Sequence, residues 1–419
     1  MQNAQRGVSR GETRVTGFSD REMDFQLLRS LGNGAYGASS PGECLALVRS
    51  IRADDPASWT AAFADLAERL LADGETRLAR GHTVSARDQF QRAAEYFRAA
   101  EYYADPLDAS RAALDERCLR AFAAWLSLAG QTAMPGFSAE RLLIPYEGGD
   151  IPAYLLAPAR RPSGSLLVAM SGFDGTSEEL FSCLGLPGVE RGHRVLLFDG
   201  PGQAGYRRLH PSGVFRPDWE RVIGPVLDHA LRLPGVDPER VALAGISLGG
   251  YFATRAAAFD PRVRALVANS PIVDLFQYLV SFLGGEEAAL RMPSFTIAEI
   301  VSAPPEELPP RKRWEALSAL TRFGCESTGE WLKRLRDFTI TGEMLSAVRC
   351  PSLGILGEAE GEVPRTHYET FLAGVSGKAT GRIFTTQEGA DAHCQVGNQR
   401  LLAAEVFDWL EDVWAMHQT

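Results

Sequence analysis

The sequence predicts an α/β protein built on a doubly wound, mostly parallel β-sheet, with one helical segment before the sheet and another inserted into it. Short apolar runs alternate with helical stretches from about residue 138 to 273, and again from about residue 346 onwards. The alternation stops over residues 274–345, which contain no run suited to a parallel strand. We therefore expect an N-terminal helical cap domain (1–137), a core in two parts (138–273 and 346–419) and an inserted helical lid (274–345).

The N-terminal segment has a helical pattern from about residue 41 to 133. Trp59, Phe63, Leu66 and Leu70, for example, recur at the spacing of one buried helix face. Further aromatic residues of this segment are Phe90, Tyr96, Phe97, Tyr102 and Tyr103. We expect most of these rings to form the core of an all-helical domain and some of them to line a substrate pocket.

Eight runs predict the strands of the sheet. Most are rich in apolar residues, as is typical of buried parallel strands, and the first two are separated by a Gly-Gly turn that predicts a hairpin. The predicted strands cover residues 140–145, 151–156, 165–170, 194–198, 241–244, 263–268, 352–356 and 382–385. A helix over residues 178–191 is predicted between the third and fourth strands.

The lid carries many large apolar side chains on either side of a proline-rich stretch. They are Phe276, Tyr278, Phe282, Met292, Phe295, Trp314, Phe323 and Trp331. We expect them to cover a hydrophobic small-molecule substrate.

Composition excludes several classes of function. The 419 residues carry a net charge of -10, which disfavours binding to nucleic acid or to an anionic membrane. Six cysteines without a C-x-x-C pair argue against a zinc site or a disulfide framework and fit a reducing cytosol. The polar N-terminus has no apolar signal region, and no apolar run approaches the ~20 residues of a membrane span. We expect a cytoplasmic protein.

The residues from Gly245 to Gly249 read Gly-Ile-Ser-Leu-Gly and match the G-x-S-x-G motif. They follow the apolar strand 241–244 and precede a helical run that starts near Tyr251. A serine on a sharp turn between a strand and a helix is the arrangement called the nucleophile elbow. The sequence therefore predicts that Ser247 is a nucleophile and that the flanking glycines permit close packing of the turn.

A serine hydroxyl needs a base within hydrogen-bond reach, and in this arrangement the chain order is serine, acid, histidine. Three of the seven histidines follow the resumed strands. His393 lies in a loop between the last strand and the last helix, where the base is needed. His367, near a helix start, and His417, near the chain end, are expected at the surface. We predict that His393 is the base.

The acid is expected just after strand 352–356, but residues 357–364 contain no aspartate. Glu360 stands three residues after Gly357, at the usual place of the acid, and is the favoured candidate. Glu362 is its competitor and Glu358 a more distant one. The alternative is a solvated acidic loop, with Ser247 and His393 working without a strongly orienting carboxylate.

An oxyanion hole needs two backbone donors. The Leu248 N–H follows the nucleophile, and the loop after strand 165–170 offers the Phe173 N–H or, second, the Gly172 N–H. Asp174 in that loop either forms a turn or has a polar role at the substrate. Residues 199–203 (Asp-Gly-Pro-Gly-Gln) are interpreted as a tight structural turn, and no metal-ligand cluster is found in the sequence.

These residues carry a resemblance to a known family. The motifs are Gly172-Phe-Asp-Gly-Thr-Ser-Glu-Glu179, Asp199-Gly-Pro-Gly-Gln203, Gly245-Ile-Ser-Leu-Gly-Gly250, Ala268-Asn-Ser-Pro271 and Ala390-Asp-Ala-His-Cys394, with Gly42-Glu43 and Trp59 in the helical segment. The chain resembles the α/β-hydrolases that include 2,6-dihydroxypseudooxynicotine hydrolase and the fungal polyketide-shortening hydrolases of pigment biosynthesis. The resemblance implies an α/β-hydrolase fold, a helical cap over the site, frequent dimerisation and cleavage of a C–C bond beside a ketone, an ester or a thioester.

The chain departs from this family at two positions. Glu360 stands where the family usually has aspartate, and Ala204 stands where glycine is common. The sequence thus predicts a cofactor-free serine hydrolase, as a homodimer, acting on a hydrophobic aromatic or polyketide-like substrate. A non-hydrolytic lyase, cyclase or acyl transferase on the same scaffold is the alternative, and a non-catalytic binding protein is a distant one.

Overall fold

A computed structural model describes residues 9–132, 136–160 and 162–416 of the chain. Within these ranges one sheet has eight strands in the order β1-β2-β4-β3-β5-β6-β7-β8. The strands are β1 (Phe137–Tyr146), β2 (Gly149–Pro158), β3 (Leu166–Met170), β4 (Arg194–Phe198), β5 (Val241–Ile246), β6 (Ala265–Asn269), β7 (Ser352–Gly357) and β8 (Ala379–Phe384).

The first two strands form the predicted antiparallel hairpin, and β2 also pairs antiparallel with β4. All other neighbours are parallel; Val168 of β3, for example, lies opposite Leu196 of β4 and Leu243 of β5. Apolar residues on both faces of these strands are buried, as their continuous apolar runs predict.

In residues 9–132 five α-helices precede the sheet: α1 (Arg21–Gly32), α2 (Pro41–Leu47), α3 (Pro56–Ala79), α4 (Thr83–Tyr102) and α5 (Ser110–Thr132). The predicted stripe of α3 is buried, and the Trp59 ring packs 4.5 Å from that of Phe63 and 5.4 Å from that of Tyr103. This region fits the predicted helical cap, whereas the exact division of the chain into domains remains a prediction.

The helices of the first core part are α6 (Ser177–Leu180), α7 (Leu186–Glu190), α8 (Ala204–Leu209), α9 (Glu220–Ala230) and α10 (Leu248–Phe259). The helix predicted over residues 178–191 is present as one helical run over residues 177–190, in which a π-helical turn at Phe181–Gly185 joins α6 to α7. Gly185 and Pro187 lie where the run departs from regular α-helical geometry. A Cβ at Gly185 would contact Leu156 and Leu197 of the sheet, and Pro187 lacks the N–H of a regular helix.

Between β6 and β7 the lid contains six helices: α11 (Leu275–Ser281), α12 (Glu286–Arg291), α13 (Ile297–Ser302), α14 (Pro310–Phe323), α15 (Thr328–Leu335) and α16 (Gly342–Ala347). The second core part adds α17 (Glu362–Gly374) and α18 (Gln399–Met416). The lid contacts the N-terminal helices directly. The Trp314 ring lies 5.0 Å from Tyr102 and 4.8 Å from Tyr103, and Arg311 pairs with Asp20 and Asp54.

Helices cover both faces of the sheet. On β3, Leu167 and Ala169 pack in the cluster that contains the N-terminal helices and α18, whereas Val168 and Met170 pack with α9, α10 and the lid. This alternation follows from the two-residue period of a strand. The predicted class, a doubly wound and mostly parallel α/β fold, is confirmed.

Candidate active site

The motif residue Ser247 stands between the last residue of β5 and the first residue of α10, with φ 60° and ψ −125°. A left-handed φ is unfavourable for a side chain larger than glycine, so the turn is strained as the elbow requires. The flanking glycines permit it. A Cβ at Gly245 would lie 1.8 Å from the Gly249 carbonyl oxygen, and one at Gly249 would lie 2.7 Å from the Ser171 carbonyl oxygen.

The structure places Ser247, His393 and Glu360 in one hydrogen-bonded row. His393 Nε2 lies 2.9 Å from Ser247 Oγ, and His393 Nδ1 lies 2.5 Å from Glu360 Oε2. The three residues follow β5, β8 and β7, whose carboxyl ends meet at one edge of a parallel sheet. Nδ1–H donating to the carboxylate leaves Nε2 free to accept the serine proton.

Glu360 is fully buried, and its carboxylate has further donors. Ser270 Oγ donates to both of its oxygens, at 2.9 and 3.2 Å, and the Gly357 N–H donates to Oε1 at 2.8 Å. The other two acidic candidates are exposed: Glu362 is the first residue of α17, and Glu358 accepts a hydrogen bond from the Thr386 N–H. Glu360 is thus the carboxylate that contacts His393.

Burial by itself lowers the pKa of the His393 imidazole, but the Cys394 sulfur and the Glu360 carboxylate act in the opposite direction and prevail. The net pKa therefore lies above the usual 6.5. A raised pKa means that the site favours the imidazolium, the form that the histidine takes after it has accepted a proton.

The other two histidines considered as bases lie elsewhere. His367 was expected at the surface, and this expectation is wrong: its side chain is buried in α17, and burial lowers its pKa to about 4. The prediction failed because residue 367 belongs to a longer helix, whose buried face contacts Tyr278 of the lid. His417 lies outside the described residues.

The candidate oxyanion donors lie next to the nucleophile. Leu248 is the first residue of α10, so its N–H has no acceptor within the helix. The loop after β3 approaches closely, since a Cβ at Gly172 would lie 2.7 Å from the Leu248 nitrogen. Phe173 borders the same cavity as Ser247 and packs against Phe215 at 5.6 Å.

Gln203, which the sequence suggested only as part of a structural turn, holds the loop after β3. We call residues 171–174 of this loop the oxyanion loop, because they include the candidate donors Gly172 and Phe173. Its buried Nε2 donates to the carbonyls of Ser171 at 2.6 Å and Gly172 at 3.3 Å, and its Oε1 accepts from the Gly200 N–H. The N–H and C=O of a trans peptide point in opposite directions. Gln203, by binding the Gly172 carbonyl, therefore turns the Phe173 N–H to the opposite side.

Asp174, for which two roles were open, borders the cavity and pairs with Arg29 of α1 at 3.2 Å. Arg29 also donates to both oxygens of Glu179, at 2.6 and 2.5 Å. Asp174 is thus one member of a charged network that joins the oxyanion loop to the N-terminal helices.

Ser247 and His393 open into a cavity of about 1320 Å³. Side chains of the N-terminal helices, the core and the lid all border it. From the predicted aromatic and apolar sets, its walls include Tyr102, Tyr278, Phe282, Met292, Phe295, Trp314 and Trp331. Phe90, Tyr96, Phe97 and Tyr103 lie instead in the buried core.

Sequence reasoning missed the role of residues 9–13, which we call the N-terminal arm. The Ser9 N–H donates to the Glu360 carbonyl at 2.5 Å, and the His393 N–H donates to the Arg10 carbonyl at 3.1 Å. The buried Asp391 carboxylate accepts from the N–H groups of Glu12 and Thr13. Short polar segments of this kind carry no periodic signal that could have revealed these contacts.

Within the described ranges, no group of three or more His, Cys, Asp or Glu side chains is placed to hold a metal ion. Among the helices of those ranges, none combines the length and the apolar character that crossing a membrane requires.

Comparison with known proteins agrees with the fold. The model of the alpha/beta hydrolase family matches residues 166–394, more than half of the chain. Hydrolase LUC6 of Fusarium sp is 30% identical, with 96% of this chain and 98% of that protein covered. The 20-hydroxy-prefusarin hydrolase FUS2 of Gibberella moniliformis is 30% identical, with 95% and 98% covered. Hydrolase ORFZ of Pyricularia oryzae is 34% identical over 80% of this chain and 82% of its own.

Solved structures show the same fold at low sequence identity. The structure of 2,6-dihydroxy-pseudo-oxynicotine hydrolase has a TM-score of 0.67 at 20% identity and covers 91% of this chain and 95% of its own. AbyA5 has a TM-score of 0.60 at 18% identity, with 91% and 96% covered. The family match spans the strands that present the serine and the loop that presents the histidine, and relatives align over almost the full length. The chain therefore belongs to the alpha/beta hydrolase family.

Proposed function

We propose that this protein is a serine hydrolase in which Ser247 is the nucleophile, His393 the general base and Glu360 the orienting acid. The observation that carries the proposal is the unbroken hydrogen-bonded row from the Ser247 hydroxyl through both ring nitrogens of His393 to the buried Glu360 carboxylate. This is the relation of nucleophile, base and orienting group that defines a catalytic triad. The absence of an aspartate is no objection, since the glutamate reaches the ring.

In the first half-reaction His393 Nε2 takes the Ser247 proton while Oγ attacks the substrate carbonyl. Glu360 stabilises the imidazolium, and the N–H groups of Leu248 and Phe173 hold the developing oxyanion. Collapse breaks the bond to the leaving group, which takes the proton from His393. Water activated by His393 then hydrolyses the acyl-enzyme by the same steps and frees Ser247.

The substrate class follows from the cavity. Its volume and its aromatic lid fit a large hydrophobic, aromatic or polyketide-like molecule that carries an ester, a thioester or a ketone beside the scissile C–C bond. Two similar proteins support this class, because their names record hydrolysis of 20-hydroxy-prefusarin and of 2,6-dihydroxy-pseudo-oxynicotine. For C–C cleavage His393 delivers its proton to the carbon of the leaving group.

Nucleophile, proton transfer and oxyanion stabilisation are all assigned to residues of this chain. We therefore propose that the reaction needs no cofactor. The cytoplasmic location and the homodimer predicted from the sequence remain proposals, which fractionation and light scattering can test.

The decisive experiment is mass spectrometry of products formed in ¹⁸O-labelled water from aryl esters, thioesters and aryl β-diketones. We expect ¹⁸O in one cleavage product, and a loss of kcat of about 10⁴-fold or more in Ser247→Ala. Ser376→Ala, an exposed serine that bonds the Ser346 carbonyl, is the control and should keep full activity.

Two results would contradict the proposal. A mass-neutral or elimination product without ¹⁸O would identify a cyclase or lyase on this scaffold. Full turnover by Ser247→Ala, or a fluorophosphonate probe that fails to label Ser247 in the folded protein, would exclude the serine mechanism.

A further inference from the structure

Arg10 of the N-terminal arm is held beside the proposed triad by its own backbone. Its carbonyl accepts the His393 N–H at 3.1 Å, and its neighbour Ser9 donates to the Glu360 carbonyl. The Arg10 side chain borders the same cavity as Ser247. A cation is therefore fixed in the cavity by contacts with the two loops that carry the base and the acid.

The guanidinium group of Arg10 contacts two aromatic rings. Its Cζ lies 5.2 Å from the centroid of Phe25 on α1 and 5.5 Å from that of Phe282, which follows α11. Nε donates to Glu22 at 3.1 Å, and the side chain retains 27% exposure. Contact with aromatic faces restrains the plane of a guanidinium and leaves its N–H edge for other partners.

That edge is not used by the rest of the described chain. Neither Nη1 nor Nη2 of Arg10 donates a hydrogen bond to a residue in the described ranges, although each carries two N–H groups. Glu22, its ionic partner, is itself held through its other oxygen by Gln26 at 2.9 Å and by the Tyr102 hydroxyl at 3.1 Å. Arg10 is thus pre-oriented, and its two Nη groups have no hydrogen-bond partner among the described residues.

Arg29 shows the contrast. It borders the same cavity, but its Nε and Nη2 bind Glu179, and its Nη1 binds Asp174 and Gln26. These bonds use every nitrogen of the group. Of these two arginines, Arg10 has more N–H groups left to bind a substrate oxygen.

We propose that Arg10 is a substrate-binding residue that recognises a delocalised oxyanion, either a carboxylate or the enolate of a 1,3-dicarbonyl group, in the molecule cleaved at Ser247. Two oxygens sharing one negative charge match two N–H donors of a planar guanidinium. The inference rests on the proposed function and narrows its substrate class. The substrate is amphipathic, with an acidic oxygen pair at the N-terminal arm and an apolar body under the lid.

Paired substrates test this assignment. One is an aryl ester with a carboxylate on the acyl part, and the other is the same compound with that carboxylate methylated. We expect Arg10→Met to raise KM for the carboxylate by 10- to 100-fold and to change KM for the methylated compound less than twofold. Arg10→Lys, which keeps the charge but loses the planar group, should raise KM for the carboxylate less than Arg10→Met does. Arg334→Met, at an exposed lid position, is the charge-matched control and should leave both substrates unchanged.

Binding without turnover separates this inference from the proposed mechanism. Calorimetric titration of the Ser247→Ala protein with benzoate and, separately, with acetylacetonate should show binding that Arg10→Met weakens at least tenfold. The anion bound more tightly identifies carboxylate or enolate as the natural group. The proposal would be overturned if Arg10→Met raised KM equally for the charged and the methylated esters. It would also be overturned if Arg10→Met left the affinity for both anions unchanged.

Discussion

Glu360 reaches His393 because the turn that carries it folds back on β7. Its N–H donates to the Gly357 carbonyl at 3.1 Å, and its carboxylate accepts the Gly357 N–H at 2.8 Å. The longer side chain is therefore folded against its own turn, with Oε2 at the imidazole. In this way a glutamate can occupy the place that is usually taken by an aspartate in the family that the sequence resembles.

The charge of Glu360 should be visible in the pH dependence of activity. In the proposed mechanism neutral His393 is the base, so we expect kcat/KM to fall as pH drops through the pKa of His393, which lies above 6.5. Glu360→Gln removes a cause of the raised pKa, so the acidic limb should move to lower pH. At the plateau, kcat should fall by about 10²- to 10⁴-fold, because the amide no longer stabilises the imidazolium.

Profiles of kcat/KM on one aryl ester from pH 5 to 10 measure both effects. Glu362→Gln, an exposed position two residues away, should reproduce the profile of the unchanged protein. An acidic limb that stays in place in Glu360→Gln would show that this carboxylate does not set the pKa of His393.

The candidate site was predictable from the sequence to different degrees. Ser247 and His393 could be proposed because a strand-turn-helix motif and the chain order define them locally. Among three glutamates within five residues the sequence favoured Glu360 but left Glu362 and Glu358 open, because only the three-dimensional turn buries Glu360 and leaves the other two exposed. The role of Gln203 also escaped, since its acceptors lie more than 30 residues away in sequence.

Among the elements, the strands were the best predicted. Residues buried on both faces give uninterrupted apolar runs, and the predicted runs overlap all eight strands of the described chain. The helix between β3 and β4 was predicted, but the π-helical turn at Phe181–Gly185 within it was not. The N-terminal arm was missed because its order comes from contacts with Glu360, Asp391 and His393, far away in the sequence.

The position of the N-terminal arm should affect catalysis. Gly11 has φ 129°, and a Cβ there would lie 2.7 Å from Cα of Ala392, the residue before His393. Gly11→Ala should therefore displace the arm from the histidine loop and lower kcat by about tenfold or more, since small misplacements of a base are costly. Steady-state kinetics on a neutral aryl ester, with the melting temperature measured in parallel, provides the readout.

Gly148→Ala is the matched control for this prediction. Gly148 also has a positive φ, 82°, but no atom lies within 4 Å of the position of its Cβ, in the turn between β1 and β2. Both variants should lose about 1 kcal/mol of stability from backbone strain. Only Gly11→Ala should lose activity. Equal activity in the two variants would show that the N-terminal arm does not contribute to catalysis.

At the scale of the whole molecule, three parts of the chain build one cavity. The core supplies Ser247 and His393, α1 and α4 supply a polar wall with Glu22 and Tyr102, and the lid supplies an apolar wall. Contacts of Trp314 with Tyr102 join the N-terminal helices to the lid above the sheet. The volume available to a substrate therefore depends on how the two helical parts meet.

Filling the cavity from the lid should change substrate preference and leave the chemistry intact. Ala319 on α14 borders the cavity and is half-buried. In Ala319→Trp the indole occupies space that a bulky acyl group needs, so kcat/KM for a large aromatic acyl ester should fall by about tenfold or more. The acetyl ester of the same phenol fits in the remaining volume and should be hydrolysed within twofold of the original rate.

Ala298→Trp, at an exposed position of α13, is the control and should alter neither rate. Equal losses on both esters in Ala319→Trp would show that the lid acts through the triad rather than through the space it leaves for the substrate.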